Sequence, residues 1–362
     1  MAKPKVLVVN DITTDRQPFL EFQKKFECIR YHPTTKEQFA LDMQKPEYSD
    51  IQAVWNMFYG FIEFGQVDDQ VYDALPPTVK VFSIGSVGYD RFNVAKLTDL
   101  GIILTNNPGL GAGAVADIAL YLTLSTFRFL SVFEHSLRHV GQLFDARNGL
   151  NSDRFENGIP AKPEVAKFGF GDNVGGRVVT SPHGKRCGVI GMGAIGKEIV
   201  GRMKAIGMEI HYYTRTPLTQ DALDTLPVMV AHDSVEDLLP VCDVVILAVP
   251  HSPATQHLLN STSLSLLPHG ARVVNIGRGA LIDTEALLDA LNTGQVSAAG
   301  LDVFEGEPGI HPGLLNRWDV TILPHVGSAT LDTVIEAEDS VMKNIENVLM
   351  GGDGLTPVNK VS

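Results

Sequence analysis

The chain has 362 residues, 44% of them hydrophobic and 20% charged, with a formal net charge of −13. That length suggests about two globular domains, and the composition excludes a disordered or collagen-like chain. No apolar run reaches the roughly 18 residues of a membrane-spanning helix. An acidic chain also lacks the broad basic face that sequence-independent nucleic-acid binding needs, so neither a membrane nor a nucleic-acid partner is expected.

The opening MAKPKVLVVNDITTD reads as a first strand rather than a signal peptide. Strand-like runs follow at Lys5 to Val9, Ile51 to Trp55, Val79 to Gly85 and Gly101 to Asn106, separated by helix-compatible stretches. This alternation predicts an α/β fold with a parallel sheet. Val115 to Val140 reads as one long helix, apolar on nearly every side in its first half, and such a helix is buried between domains or subunits. A homodimer is therefore expected. From Leu143 to Lys185 the periodicity fades into Asn, Gly, Pro and charge, which reads as a long loop or insertion.

A second α/β series begins at Arg186, with strands at 186–191, 208–214, 243–250, 271–277, 297–304 and 320–324. The final helix, about 329–350, is expected to return to the first domain. The predicted division is therefore 1–110 with 329–362, and 111–328 with its insertion near 143–185. Cys28, Cys187 and Cys242 lie far apart and show no zinc spacing. Buried free thiols in a reducing, cytoplasmic setting are expected, and no metal.

GMGAIG, Gly191 to Gly196, follows a strand and opens a helix. This is the context in which three glycines admit a dinucleotide pyrophosphate to a helix N-terminus, through Gly191, Gly193, Ala194, Ile195 and Gly196. An NAD site usually carries Asp or Glu about 20 residues further on. Here Thr214, Arg215 and Thr216 occupy that place. Hydroxyls and a guanidinium suit a 2′-phosphate, so NADPH is expected over NADH, with NAD still possible. Alternatively, Arg215 is a solvated surface residue and Thr214 tolerates either cofactor.

NIGRGALID (275–283), GLDVFEGEP (300–308) and LPHVGSAT (323–330), together with GMGAIG and SVGYD (86–90), closely resemble the signatures of the D-isomer-specific 2-hydroxyacid dehydrogenases. Within that family the chain is most similar to glyoxylate/hydroxypyruvate reductases and fungal D-mandelate dehydrogenases. The resemblance implies two Rossmann-like or flavodoxin-like parallel-sheet domains with a cleft between them, reducing a 2-oxo acid to a D-2-hydroxy acid. It makes Arg278 the substrate arginine, Glu307 the catalytic glutamate and His325 the acid/base histidine. Asp302 becomes a nicotinamide contact, with Val249, Pro250, Ile276 and Gly327 also at the cofactor, and Ser86, Val87 and Gly88 hold the substrate carboxylate. Histidine suits proton delivery because it titrates near neutrality, and an arginine can bind a carboxylate and stabilise developing charge. Glu305 is a rival to Glu307, and only the family motif selects the latter. His251 and His269 read as structural.

Trp55, Met57, Phe58 and Tyr59 either line a pocket for aromatic or branched 2-oxo acids or pack the core. Two other functions compete. A dinucleotide-sensing transcriptional co-regulator shares the fold, but it usually adds long interaction tails, whereas the ends here read as short. A formate dehydrogenase should carry glutamine at Glu307, because hydride transfer from formate needs no proton donor.

Overall fold

Two parallel sheets carry the chain in a computed structural model that describes residues 2–57, 60–61, 64, 67–151, 155–156, 159–160 and 170–361. The chain divides into one unit of Met1–Gly111 with Ala329–Ser362 and another of Ala112–Ser328.

The first unit contains β1 (Lys5–Val9), β2 (Glu27–Tyr31), β3 (Ile51–Asn56), β4 (Val81–Ile84) and β5 (Ile103–Thr105). They pair in parallel in the flavodoxin-like order β2-β1-β3-β4-β5. The run Val6 to Val9 is wholly buried because both sheet faces are covered. On one face Val6, Val8 and Trp55 pack with Phe19 and Phe22 of the helix Gln17–Lys25 and with Val341 and Ile345 of the helix Leu331–Leu349. β2 escaped the sequence reading because it is an edge strand with exposed Glu27 and Arg30, and it lacks an apolar run.

The pocket reading fails for Trp55 and Met57. Trp55 is fully buried, edge-on to Phe19 and Phe22 with ring centroids 6.2 and 5.8 Å away. Met57 is buried in the same cluster. Apolar burial on the helix-covered face holds these side chains in the core. Phe58 and Tyr59 lie outside the described residues.

Near the carboxyl end of the chain, Pro357 bridges antiparallel to Thr105. The Val358 N–H donates to the Leu104 carbonyl at 2.8 Å. Asn359 accepts from the Leu104 N–H at 2.7 Å and donates to the Ile102 carbonyl at 2.9 Å. This segment thus continues the sheet beyond β5.

The second unit contains β6 (Arg186–Ile190), β7 (Glu209–Tyr213), β8 (Met229–Ala231), β9 (Val244–Leu247), β10 (Ala271–Asn275), β11 (Val296–Leu301) and β12 (Val320–Ile322). All neighbours are parallel, in the order β8-β7-β6-β9-β10-β11-β12. The reversal between β6 and β9 is the switch point of a Rossmann sheet. Cys187 and Cys242 are buried, and loss of hydration pushes both thiols up, Cys242 to about 12. Cys28 is only partly buried, yet burial raises it also to about 12.

The helix expected over 115–140 is two helices, Ala112–Arg128 and Leu130–Val140, bent by 70°. The break is Phe129, whose φ of 51° is left-handed. That turn buries its ring against Trp318, at a centroid distance of 5.6 Å. The apolar first half is explained within the unit, since Val115, Ala119, Leu122 and Phe127 join the core beside β6, β9 and β10.

The expected loop at 143–185 holds a helix, Leu143–Leu150, and the paired segments Asn173–Val174 and Arg177–Val178. Arg177 anchors this hairpin, donating to the Val296 carbonyl at 2.6 Å and lying 3.3 Å from the buried Asp319. Among the described residues, no single helix is long and apolar enough to cross a membrane.

Glu338 lies in the helix Leu331–Leu349 and its side chain is 2% exposed. It accepts from the Thr13 N–H at 2.7 Å and from Arg16 at 2.9 Å. Without Glu338 the Thr13 N–H loses its acceptor and Arg16 keeps only Asp339 as a carboxylate partner, at 2.6 Å, so Glu338→Ala should cost about 2 kcal/mol. The chain has two tryptophans. In a Trp318→Phe background, Trp55 fluorescence during urea unfolding should report an earlier transition of the first unit.

Candidate active site

Parallel strands end at one edge of the second sheet, and the residues singled out in this half of the sequence collect there. Gly191 follows β6, Thr214 follows β7, Val249 and Pro250 follow β9, Ile276 and Arg278 follow β10, Asp302 follows β11 and His325 follows β12. Open α/β sheets bind ligands at this carboxyl edge.

The glycine loop has the shape that a pyrophosphate needs. Gly191 has φ of 101°, and a methyl group on it would stand 2.6 Å from the Ala248 carbonyl oxygen. A methyl on Gly196 would stand 2.0 Å from the Gly191 carbonyl oxygen, so only glycine lets the helix Ala194–Ala205 start this close to the strand. At Gly193, by contrast, a methyl would meet nothing within 4 Å. Gly193 caps the helix without a side-chain hydrogen bond, which leaves the N-terminal N–H groups and the positive dipole end for an anion. The loop therefore fits a dinucleotide. Thr214 bonds the Thr216 carbonyl at 3.3 Å, and the exposed Arg215 has no ion-pair partner among the described residues.

Two carboxylates that competed in the sequence separate here. Glu307 Oε2 lies 2.9 Å from His325 Nδ1, while its Oε1 accepts from the Phe304 N–H at 2.9 Å. Glu305 instead lies 2.5 Å from His257 Nε2 and accepts from the Thr284 hydroxyl at 3.1 Å. The structure joins Glu307, not Glu305, to His325. His257, which the sequence reading did not single out, has no motif to mark it and is found only through this pairing.

His325 has φ of 54°, an uncommon backbone for a residue with a side chain. Asp302 holds that turn in place. Its two carboxylate oxygens accept from the Val326 and Gly327 N–H groups, each at 2.8 Å. A methyl on Gly327 would stand 2.8 Å from Asp302 Oδ2, so the close approach needs glycine. Burial pushes the Asp302 carboxyl up, and the two N–H bonds oppose that shift. The sequence reading of Asp302 as a nicotinamide contact missed this structural role, because the bonds are to backbone that no motif reveals.

Arg278 is half-buried and ends a turn that Asn275 braces by donating to the Arg278 carbonyl at 2.8 Å. Its guanidinium donates to the Gly277 carbonyl at 2.9 Å. In the first unit, Ser86, Val87 and Gly88 form the loop after β4, and the Ser86 hydroxyl bonds the Gly88 carbonyl at 2.9 Å.

Residues 165–327 match the model of the D-isomer specific 2-hydroxyacid dehydrogenase NAD-binding domain. The structure is similar to that of the holo form of D-mandelate dehydrogenase from Rhodotorula graminis, with a TM-score of 0.87, 30% identity and coverage of 100% of this chain and 99% of that one. The chain belongs to the D-isomer specific 2-hydroxyacid dehydrogenase family. This family member is thus an oxidoreductase acting on 2-oxo acids with a nicotinamide dinucleotide.

A second similar structure is an NADPH-dependent glyoxylate/hydroxypyruvate reductase from Sinorhizobium meliloti in complex with NADP and malonate. Its TM-score is 0.74 and its identity 28%, with coverage of 99% and 97% of the two chains. The chain is also 29% identical to 4-methyl-2-oxopentanoate reductase A of Aspergillus oryzae, covering 98% of each.

The separation of the two carboxylates can be measured. Glu307→Gln should lower the rate of 2-oxo acid reduction by a factor of about 10 or more. Glu305→Gln should leave it within about twofold, since Glu305 bonds His257 and Thr284 rather than His325. Steady-state nicotinamide absorbance reads both.

Proposed function

We propose that this protein is an NADPH-preferring reductase of 2-oxo acids to D-2-hydroxy acids, with His325 as proton donor. The observation that carries the reading is the His325–Glu307 pair at the carboxyl edge of a glycine-loop sheet. The ionised Glu307 accepts a hydrogen bond from the His325 Nδ1–H and orients the ring. His325 Nε2 has no partner among the described residues, so in the imidazolium it can give its proton to a substrate carbonyl oxygen. Glu307 then stabilises the cation while it exists. Arg278 supplies a fixed positive charge to the substrate carboxylate and to the oxygen that gains charge. The Val87 and Gly88 N–H groups offer a second site for the carboxylate.

Residues 191, 193–196, 249–250 and 276 would hold the dinucleotide, with Thr214, Arg215 and Thr216 toward its 2′-phosphate. When bound and reduced, it supplies the hydride. The missing carboxylate after β7 supports the 2′-phosphate preference, since an acidic side chain there would repel it. We further propose that the substrates include branched or aromatic 2-oxo acids besides glyoxylate and hydroxypyruvate, supported by the substrates in the names of the similar proteins.

A homodimer is proposed as well. Support for it has moved from the buried helix Ala112–Arg128 to the next turns of chain, where Leu137, Val140, Leu143 and Phe144 are exposed.

Loss of nicotinamide absorbance with a panel of 2-oxo acids tests the reading, run with NADPH and NADH in parallel. NADPH oxidation should exceed that of NADH, and His325→Ala should lower kcat by roughly 10²- to 10⁴-fold. Thr214→Asp with Arg215→Ala should shift the preference toward NADH. Cofactor binding without turnover of any 2-oxo acid would instead favour a co-regulator.

A further inference from the structure

Three successive carbonyls in the loop after β4 are all taken by donors of the same unit. The Ser86 carbonyl accepts from the Asn107 N–H at 3.0 Å. The Val87 carbonyl accepts from Asn106 Nδ2 at 2.7 Å. The Gly88 carbonyl accepts from the Ser86 hydroxyl at 2.9 Å. The N–H groups of Val87 and Gly88, by contrast, have no partner among the described residues, and Val87 is exposed. A loop with its carbonyls tied inward and successive N–H groups left over presents only the positive ends of its peptide dipoles, as an anion site requires.

Asn106 is itself held from behind. Its N–H donates to the Thr356 carbonyl at 3.3 Å, and its carbonyl accepts from the Thr356 hydroxyl at 2.5 Å. Thr356 in turn donates its N–H to Asn344 Oδ1 and accepts from Asn344 Nδ2, each at 3.0 Å. Asn344 lies in the helix Leu331–Leu349 and is 1% exposed. A path of hydrogen bonds therefore runs from a buried amide on that helix, through the end segment, to the Val87 carbonyl.

We propose that Asn106 is the positioning residue of the substrate-carboxylate loop, holding the Val87 carbonyl so that the Val87 and Gly88 N–H groups are left to the anion. The proposal rests on the reductase reading above, in which that loop binds the carboxylate. A neutral amide suits the task. A lysine would compete for the substrate carboxylate, and a carboxylate in place of Asn106 would repel both the Val87 carbonyl and the anion.

The test uses the full chain with NADPH and compares Asn106→Ala and Asn106→Asp with wild type. The substrates are a 2-oxo acid that wild type reduces and its methyl ester, which lacks the charge. Either variant should lose about tenfold or more in kcat/KM for the acid, mostly through KM, as expected for a displaced charge-assisted contact. The ester should change by no more than about twofold. The inhibition constant of oxalate, which needs no turnover, should rise with the KM for the acid, while the cofactor Kd from nicotinamide fluorescence stays unchanged.

Equal losses for acid and ester, or none for either, would overturn the positioning role and leave the reductase reading intact. Wild type inactive on every 2-oxo acid would overturn that reading, and the proposal with it. Should the Asn106 variants fail to fold, Thr356→Val loosens the same support from outside the loop. It must then raise the oxalate inhibition constant, or the proposal fails.

Discussion

Parallel pairing sends every strand of a sheet in one direction, and the chemistry of this protein depends on that constraint. Residues more than a hundred positions apart reach the same edge because each follows the carboxyl end of a strand. Gly191, Thr214, Val249, Arg278, Asp302 and His325 share the edge of the second sheet for this reason alone. The same rule gathers the loop after β4 and Asn106 after β5 at the edge of the first sheet.

At that edge the backbone is held by buried polar groups rather than by regular pairing. Asp302 takes the two N–H groups that follow His325, and thereby keeps a non-glycine residue at positive φ. An uncommon backbone of this kind persists only when its surroundings over-determine it. Asn275 braces the turn before Arg278 in a similar way, and Glu307 uses one oxygen on the Phe304 N–H while the other reaches His325. Each side chain proposed to be reactive thus stands on a turn whose amide or carbonyl has a named partner. This lowers the reorganisation that catalysis would otherwise require.

The sequence was most legible where a physical requirement leaves one residue type. Gly191 and Gly196 belong to this class, because a β-carbon at either would strike backbone. Central strands such as Val6 to Val9 were legible because burial on both faces demands an unbroken apolar run. Edge strands were not, since β2 and β8 are half-solvated and need no such run. The break at Phe129 was also hidden. Nothing local marks it, and its left-handed turn persists because the ring is buried beside Trp318, far along the chain. The same holds for Trp55, whose place at a strand end suggested a pocket, whereas two phenylalanines of the helix Gln17–Lys25 put it in the core.

By itself the sequence determined the fold class and the dinucleotide loop, because strand burial and glycine sterics are local properties, and the family motifs it carries marked Arg278, Glu307 and His325 as candidates. Tertiary structure alone decided which carboxylate meets His325, what holds the turn beneath it and which amide supports the Val87 carbonyl. Those pairings join separate segments, and a hydrogen bond depends on distances that close only when the sheets have formed.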